Sequence, residues 1–104
     1  MKLTYFCNTM FLLEGKQTKV LCDPWITTNF NSSSGLYNLP ELKTTHKKLA
    51  NYKPDFIYIS HTHPDHFDPL TLSFFPLNTP ILVSWYKHNF TEIAVKKLGF
   101  KDVR

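Results

Sequence analysis

The sequence predicts an α/β fold: a mixed sheet with helices packed on one face. Three observations carry that expectation. Short apolar runs open the chain with no helical pattern between them, and helix and strand patterns then alternate to the end. Two later runs, Phe56 to Ile59 and Ile81 to Trp85, are almost wholly apolar, as parallel strands covered on both faces are. The chain has 104 residues, 42% hydrophobic and 15% aromatic, which suits one small domain with its own core.

Each element has a local reason. Lys2 to Phe6 alternates loosely and reads as a first strand, and Met10 to Leu13 is a second apolar run. Glu14 to Gln17 is a polar turn leading into a third strand, Thr18 to Cys22, so the chain enters the sheet as a meander. Asp23-Pro24-Trp25 stops that strand, because proline cannot sit in a central ladder. Residues 27–38 are rich in Asn, Ser and Thr and mark a loop. Pro40 to Asn51 reads as a helix with Pro at its start and Leu42, His46 and Leu49 on one stripe. Phe56 to Ile59 follows as a buried strand, and Ser60 to Asp68 as a polar loop. Pro69 to Phe75 is a short helix for which Asp68 is a natural N-cap. It should cross between two parallel neighbours, Phe56 to Ile59 and Ile81 to Val83. Asn89 to Leu98 is a helix closed by Gly99, and Phe100 to Val103 begins one more strand. The chain ends just as that element starts, so residues 1–104 are expected to be a single partial domain, one part of a larger design.

Charge and composition narrow the function classes. The formal net charge is +4, but the basic residues are spread along the chain, with Lys47-Lys48 and Lys96-Lys97 the densest pairs. A nucleic-acid surface would gather them on one face, so no nucleic-acid partner is expected. No apolar run approaches the ~20 residues of a membrane span. The first residues lack the uninterrupted apolar core and small-residue cleavage site of a signal peptide. Cys7 and Cys22 form no CxxC pair and are expected to be reduced, buried thiols in a cytoplasmic protein, with Cys22 turned toward the core because strand alternation puts it opposite its neighbour Asp23.

The chemistry concentrates in one segment, HTHPDHFD, residues 61–68, which holds three of the five histidines. Imidazole nitrogen and carboxylate oxygen suit zinc and related divalent ions. The loop leaves a buried strand, so its backbone is held rigidly. His61 and His63, two apart on an extended backbone, can point at one ion. Asp65 and His66 can turn back toward a second. Pro64 fixes its own φ and biases the preceding residues away from helix.

These residues resemble the HxHxDH signature of the metallo-β-lactamase superfamily. Leu21-Cys22-Asp23-Pro24-Trp25 is similar to the strand-then-Asp motif that precedes that signature. The resemblance covers nearly the whole chain, but only the N-terminal half of the family's αββα sandwich of two similar halves. It implies that His61 and His63 ligate one ion and Asp65 and His66 a second, with Asp23 a hydrogen-bond acceptor behind the ligands. The ions would be zinc, with iron or manganese as alternatives. Phe67-Asp68 replaces the Gly-Gly of the lactamase-like branches. DPW together with DHFD is instead similar to a branch holding ascorbate-6-phosphate lactonase-like, N-acylphosphatidylethanolamine phospholipase D-like and CMP-N-acetylneuraminate hydroxylase-like proteins, and DPWITTNF and IYISHTHPDH are most similar to the last of these.

The activity implied is metal-assisted hydrolysis of a small-molecule substrate, with Asp65 able to take the proton of the attacking water. Two alternatives stand beside it: an iron-dependent, sugar-nucleotide hydroxylase-like oxidoreductase component, and a non-catalytic fragment. The family takes further ligands from its C-terminal half. His88 is read as a surface residue at a helix start and His46 as a half-buried helix residue, not as ligands. Trp25, Phe30, Trp85 and Tyr86 fit core packing and a substrate wall equally well. A half without its partner sheet would leave an apolar sheet face, to be covered by the C-terminal half or by another chain.

Overall fold

A computed structural model describes residues 1–26 and 46–104. The elements in order are β1 (Lys2–Cys7), β2 (Met10–Glu14), β3 (Lys19–Cys22), α1 (His46–Asn51), β4 (Phe56–Ile59), α2 (Pro69–Leu72), β5 (Ile81–Val83) and α3 (Phe90–Lys97). The five strands form one sheet in sequence order. β1, β2 and β3 pair antiparallel, and β3, β4 and β5 pair parallel. The α/β class and the parallel pairing of Phe56–Ile59 with Ile81–Val83 across a helix are as the sequence predicts.

Turn chemistry explains the meander. Asn8 takes a left-handed φ of 45° between β1 and β2, a conformation asparagine tolerates better than most residues. The β2–β3 turn closes with the Gly15 N–H donating to the Thr18 carbonyl at 2.8 Å. The parallel strands need longer crossovers, which α1 and α2 supply. Asp68 caps α2 as expected: its carboxylate accepts from the N–H groups of Leu70 and Thr71, each at 3.2 Å, and from the Thr71 hydroxyl. Gly99 takes a φ of +95° just beyond α3, the C′ role the sequence assigns it. Phe100 to Val103 returns alongside β5, where Val103 makes a parallel bridge to Ile81.

Register decides which side chains form the core. Leu12, Leu21, Ile57 and Ile81 stand in one row across β2 to β5. All four are fully buried beneath Leu49 of α1, Leu72 of α2 and Val95 of α3. The adjacent row, Tyr5, Phe11, Cys22, Tyr58 and Leu82, points to the other face. There Tyr5 is exposed, Phe11, Tyr58 and Leu82 are half-buried, and Cys22 is buried.

Several boundaries differ from expectation. The expected helix over Pro40 to Asn51 is described only from His46, and the loop over 27–38 lies outside the described residues. Phe56 to Ile59 is not buried on both faces: Ile57 and Ile59 are buried, Phe56 and Tyr58 only half so, because the core helices cover one side. Ile81 to Trp85 shortens to three residues, and only Ile81 is fully buried. Cys22 does not face the helix-packed core. Asp23 takes a φ of 44°, which ends strand alternation directly after Cys22, so both residues reach the Tyr58 side of the sheet. No helix among the described residues is long and apolar enough to cross a membrane.

Candidate metal centre

The site grows from the carboxyl ends of β3 and β4. Asp23 leaves β3 with its N–H bonded to the Tyr58 carbonyl at 2.9 Å, which docks it against the end of β4. β4 then delivers Ser60 and His61 to the same place. The N–H groups of His66 and Phe67 both donate to the His63 carbonyl, at 2.9 and 2.8 Å. That tight turn folds Asp65 and His66 back over the loop's start. From β1–β2, the Thr9 hydroxyl donates to the Asp65 carbonyl at 3.3 Å.

The four residues of the motif are brought together with Asp23 behind them. The His61 ring lies 4.0 Å from that of His66 and 4.6 Å from that of His63, centroid to centroid. His61 Nε2 is 3.0 Å from His63 Nδ1. His66 Nε2 is 3.4 Å from Asp65 Oδ2. Asp23 is buried and accepts from the Ser60 N–H at 2.8 Å, the Ser60 hydroxyl at 2.8 Å and His66 Nδ1 at 2.8 Å. Partial desolvation, reinforced by the neighbouring His66 and His63 rings, lowers the His61 pKa below its ordinary value and favours the neutral imidazole. A neutral imidazole is the form that ligates metal. Burial, with the Asp23 charge adding, pushes the Cys22 thiol up to about 11, so it stays a protonated neighbour.

The donors are arranged as two pairs. Two ligand atoms on a tetrahedral zinc with bonds of 2.0–2.1 Å stand about 3.3 Å apart. The pair His61 Nε2 and His63 Nδ1, at 3.0 Å, and the pair His66 Nε2 and Asp65 Oδ2, at 3.4 Å, both match that edge. In kind and spacing the donors fit divalent ions. In number each pair falls short of the three protein ligands of a catalytic zinc. Among the described residues no group of three or more His, Cys, Asp or Glu is set to hold an ion.

The remaining candidates lie elsewhere. His88 is exposed, with its ring stacked on Phe90 at 5.7 Å. Trp25 is buried, whereas Trp85 and Tyr86 are 84% and 54% exposed. Phe30 and the His46 side chain lie outside the described residues. Sequence reasoning passed over Ser60, whose hydroxyl touches Asp23, His61 and His66. Its signal was available: alternation with Ile57 and Ile59 puts Ser60 off the core face, directly before the first histidine.

The fold and this loop define a class of protein, and comparison with known proteins agrees. The family model described as the beta-lactamase superfamily domain matches residues 2–104, and the chain belongs to the metallo-β-lactamase superfamily. A protein of Mycolicibacterium smegmatis named as a Rieske 2Fe-2S iron-sulfur protein is 29% identical over 98% of this chain and 19% of its own length. A UPF0173 metal-dependent hydrolase of Ignicoccus hospitalis is 38% identical over 62% of the chain and 24% of its own length. Among solved structures, one described as a possible metal-dependent hydrolase of Veillonella parvula superposes with a TM-score of 0.79 at 24% identity. It matches 98% of this chain and 40% of that one, and at that identity it shows the fold alone. The chain thus spans about a fifth to a quarter of the length of these curated relatives.

Proposed function

We propose that this chain carries the metal-binding loop of a metal-dependent hydrolase acting on a small-molecule substrate. The observation that supports it most is the pairing of donors at ligand-edge distance, His61 with His63 and His66 with Asp65. The kinship with proteins named metal-dependent hydrolases adds to it. His61 and His63 would hold one ion, and Asp65 and His66 a second, with zinc the best match to these donors. A bound divalent ion supplies Lewis-acid polarisation and eases the deprotonation of water. The chain's own residues do the rest. Asp65 presents a half-buried carboxylate that can accept the proton of the attacking water. Asp23 anchors the loop through Ser60 and His66. Remaining ligands would come from a C-terminal half or another chain, which would also cover the half-exposed sheet face, and the protein would work in the cytoplasm.

Metal analysis of the protein purified together with the half or chain that supplies those remaining ligands, followed by assay on lactone, thioester, amide and phosphodiester substrates, tests this reading. One or two zinc ions per chain, lost in a His61→Ala/His63→Ala variant together with activity, is the expected result. A protein that binds no divalent ion overturns it.

One observation favours a second reading. The match to the Rieske-named relative runs over nearly the whole chain. It suits an iron-dependent, hydroxylase-like oxidoreductase component. Iron in place of zinc in the same metal analysis would select it.

A further inference from the structure

We propose that Ser60 is a positioning residue that relays the Asp23 carboxylate to His61, so that one buried acid sets the ring orientation of a histidine in each donor pair. The proposal rests on the metal-site reading above, and it follows from counting protons. A carboxylate has none to give, so every partner of Asp23 must donate to it. The Ser60 hydroxyl, 2.8 Å from Asp23 Oδ2, therefore spends its single proton there. What remains on Ser60 Oγ is acceptor capacity, two lone pairs.

Two imidazole nitrogens face those lone pairs. His61 Nδ1 lies 2.9 Å away and His66 Nδ1 lies 3.1 Å away. Since Ser60 has no proton left, both nitrogens must carry the hydrogen. His66 Nδ1 also sits 2.8 Å from Asp23 Oδ2 and is held by the carboxylate directly. His61 is held only at one remove, through the hydroxyl. Both rings thereby carry a hydrogen on Nδ1, and both direct Nε2 to the donor pairs: His61 toward His63 Nδ1, His66 toward Asp65 Oδ2. Ring N–H groups held in this way fix the tautomer of a ligand and raise its basicity. The arrangement makes the two pairs dependent on a single acid, one directly and one through a single hydroxyl.

The relay separates the two histidines, which gives it a distinctive test. Long-range ¹H–¹⁵N spectra of the metal-free protein report the tautomer of each ring. In the wild type, His61 and His66 should both be Nδ1–H. Ser60→Ala should release His61 into mixed tautomers while His66, still on Asp23, keeps its own; the retained His66 signal also reports that the loop is folded. Ser60→Thr, which keeps the hydroxyl, should restore His61. Asp23→Asn should disturb both rings. In zinc titrations against a chromophoric chelator, Ser60→Ala should weaken binding roughly 10- to 100-fold, with Ser60→Thr near wild type. A His61 that stays Nδ1–H in Ser60→Ala, or a Ser60→Thr variant as disordered at His61 as Ser60→Ala, overturns the proposal. Wild-type tautomers of the expected kind in a protein that takes up no divalent ion would support the relay and overturn the metal reading.

Discussion

Cys22 and Asp23 are adjacent, buried, and chemically opposed: one is a polar anchor, the other an inert thiol. Asp23 is tolerated in the left-handed region because its N–H and both carboxylate oxygens are satisfied at the end of β4. The Cys22 thiol is raised to about 11, first by burial and then by the Asp23 charge. Two consequences follow. Alkylation by iodoacetamide at pH 8.5 should be slow at Cys22 in the native protein and fast once it is unfolded. The native state keeps a proton that the unfolded state gives up, so this group's contribution to stability is complete below about pH 9. It is lost as the pH rises toward 11, and denaturation midpoints measured between pH 8 and 10.5 should fall accordingly.

Among the elements, α2 and β4 bear most directly on the site, because they lie at the two ends of the histidine loop. α2 spans only Pro69–Leu72, too short to be stable by its own hydrogen bonds. Its stability comes from Pro at the first turn, the Asp68 cap and the buried Leu72. Asp68→Ala should therefore lower the unfolding free energy by about 1–2 kcal/mol, read by urea denaturation. β4 sits between β3 and β5 with Ile57 fully buried in the central row. Ile57→Ala should cost about 2–5 kcal/mol by the same measurement, through lost burial and the cavity left behind. Because β4 runs straight into Ser60 and His61, that variant should also weaken zinc binding, which equilibrium dialysis would detect.

At the scale of the whole molecule, the sheet has unequal faces. One is closed by α1, α2 and α3; on the other, Leu3 and Tyr5 are 58% and 52% exposed beside the half-buried Phe11, Val20, Phe56 and Tyr58. The histidine loop sits at the carboxyl ends of β3 and β4 with two donors in each pair. Residues 1–104 alone should then bind zinc weakly and show no sustained hydrolysis. Competition titration and turnover assays check this. Tight stoichiometric zinc with turnover would show that the ligand set is already complete within these residues.

Much of this protein was legible in its sequence. Periodicity and punctuation located β1 to β4, Asp68 declared its cap, Gly99 its helix end, and the spacing HTHPDH singled out the loop whose side chains the fold brings together. Those signals are local: each rests on a dihedral preference, a hydrogen bond within a few residues, or the alternation of a strand. What only the tertiary structure decided was set by groups distant along the chain. The left-handed turn at Asp23 broke strand alternation and brought its carboxylate to the same side of the sheet as Cys22. The docking of β3 on β4 joined Asp23 to Ser60, 37 residues away, and gave that serine a role its identity does not announce. A carboxylate accepts and a hydroxyl has one proton to give, and only the folded chain brings them close enough for that accounting to set the orientation of a histidine.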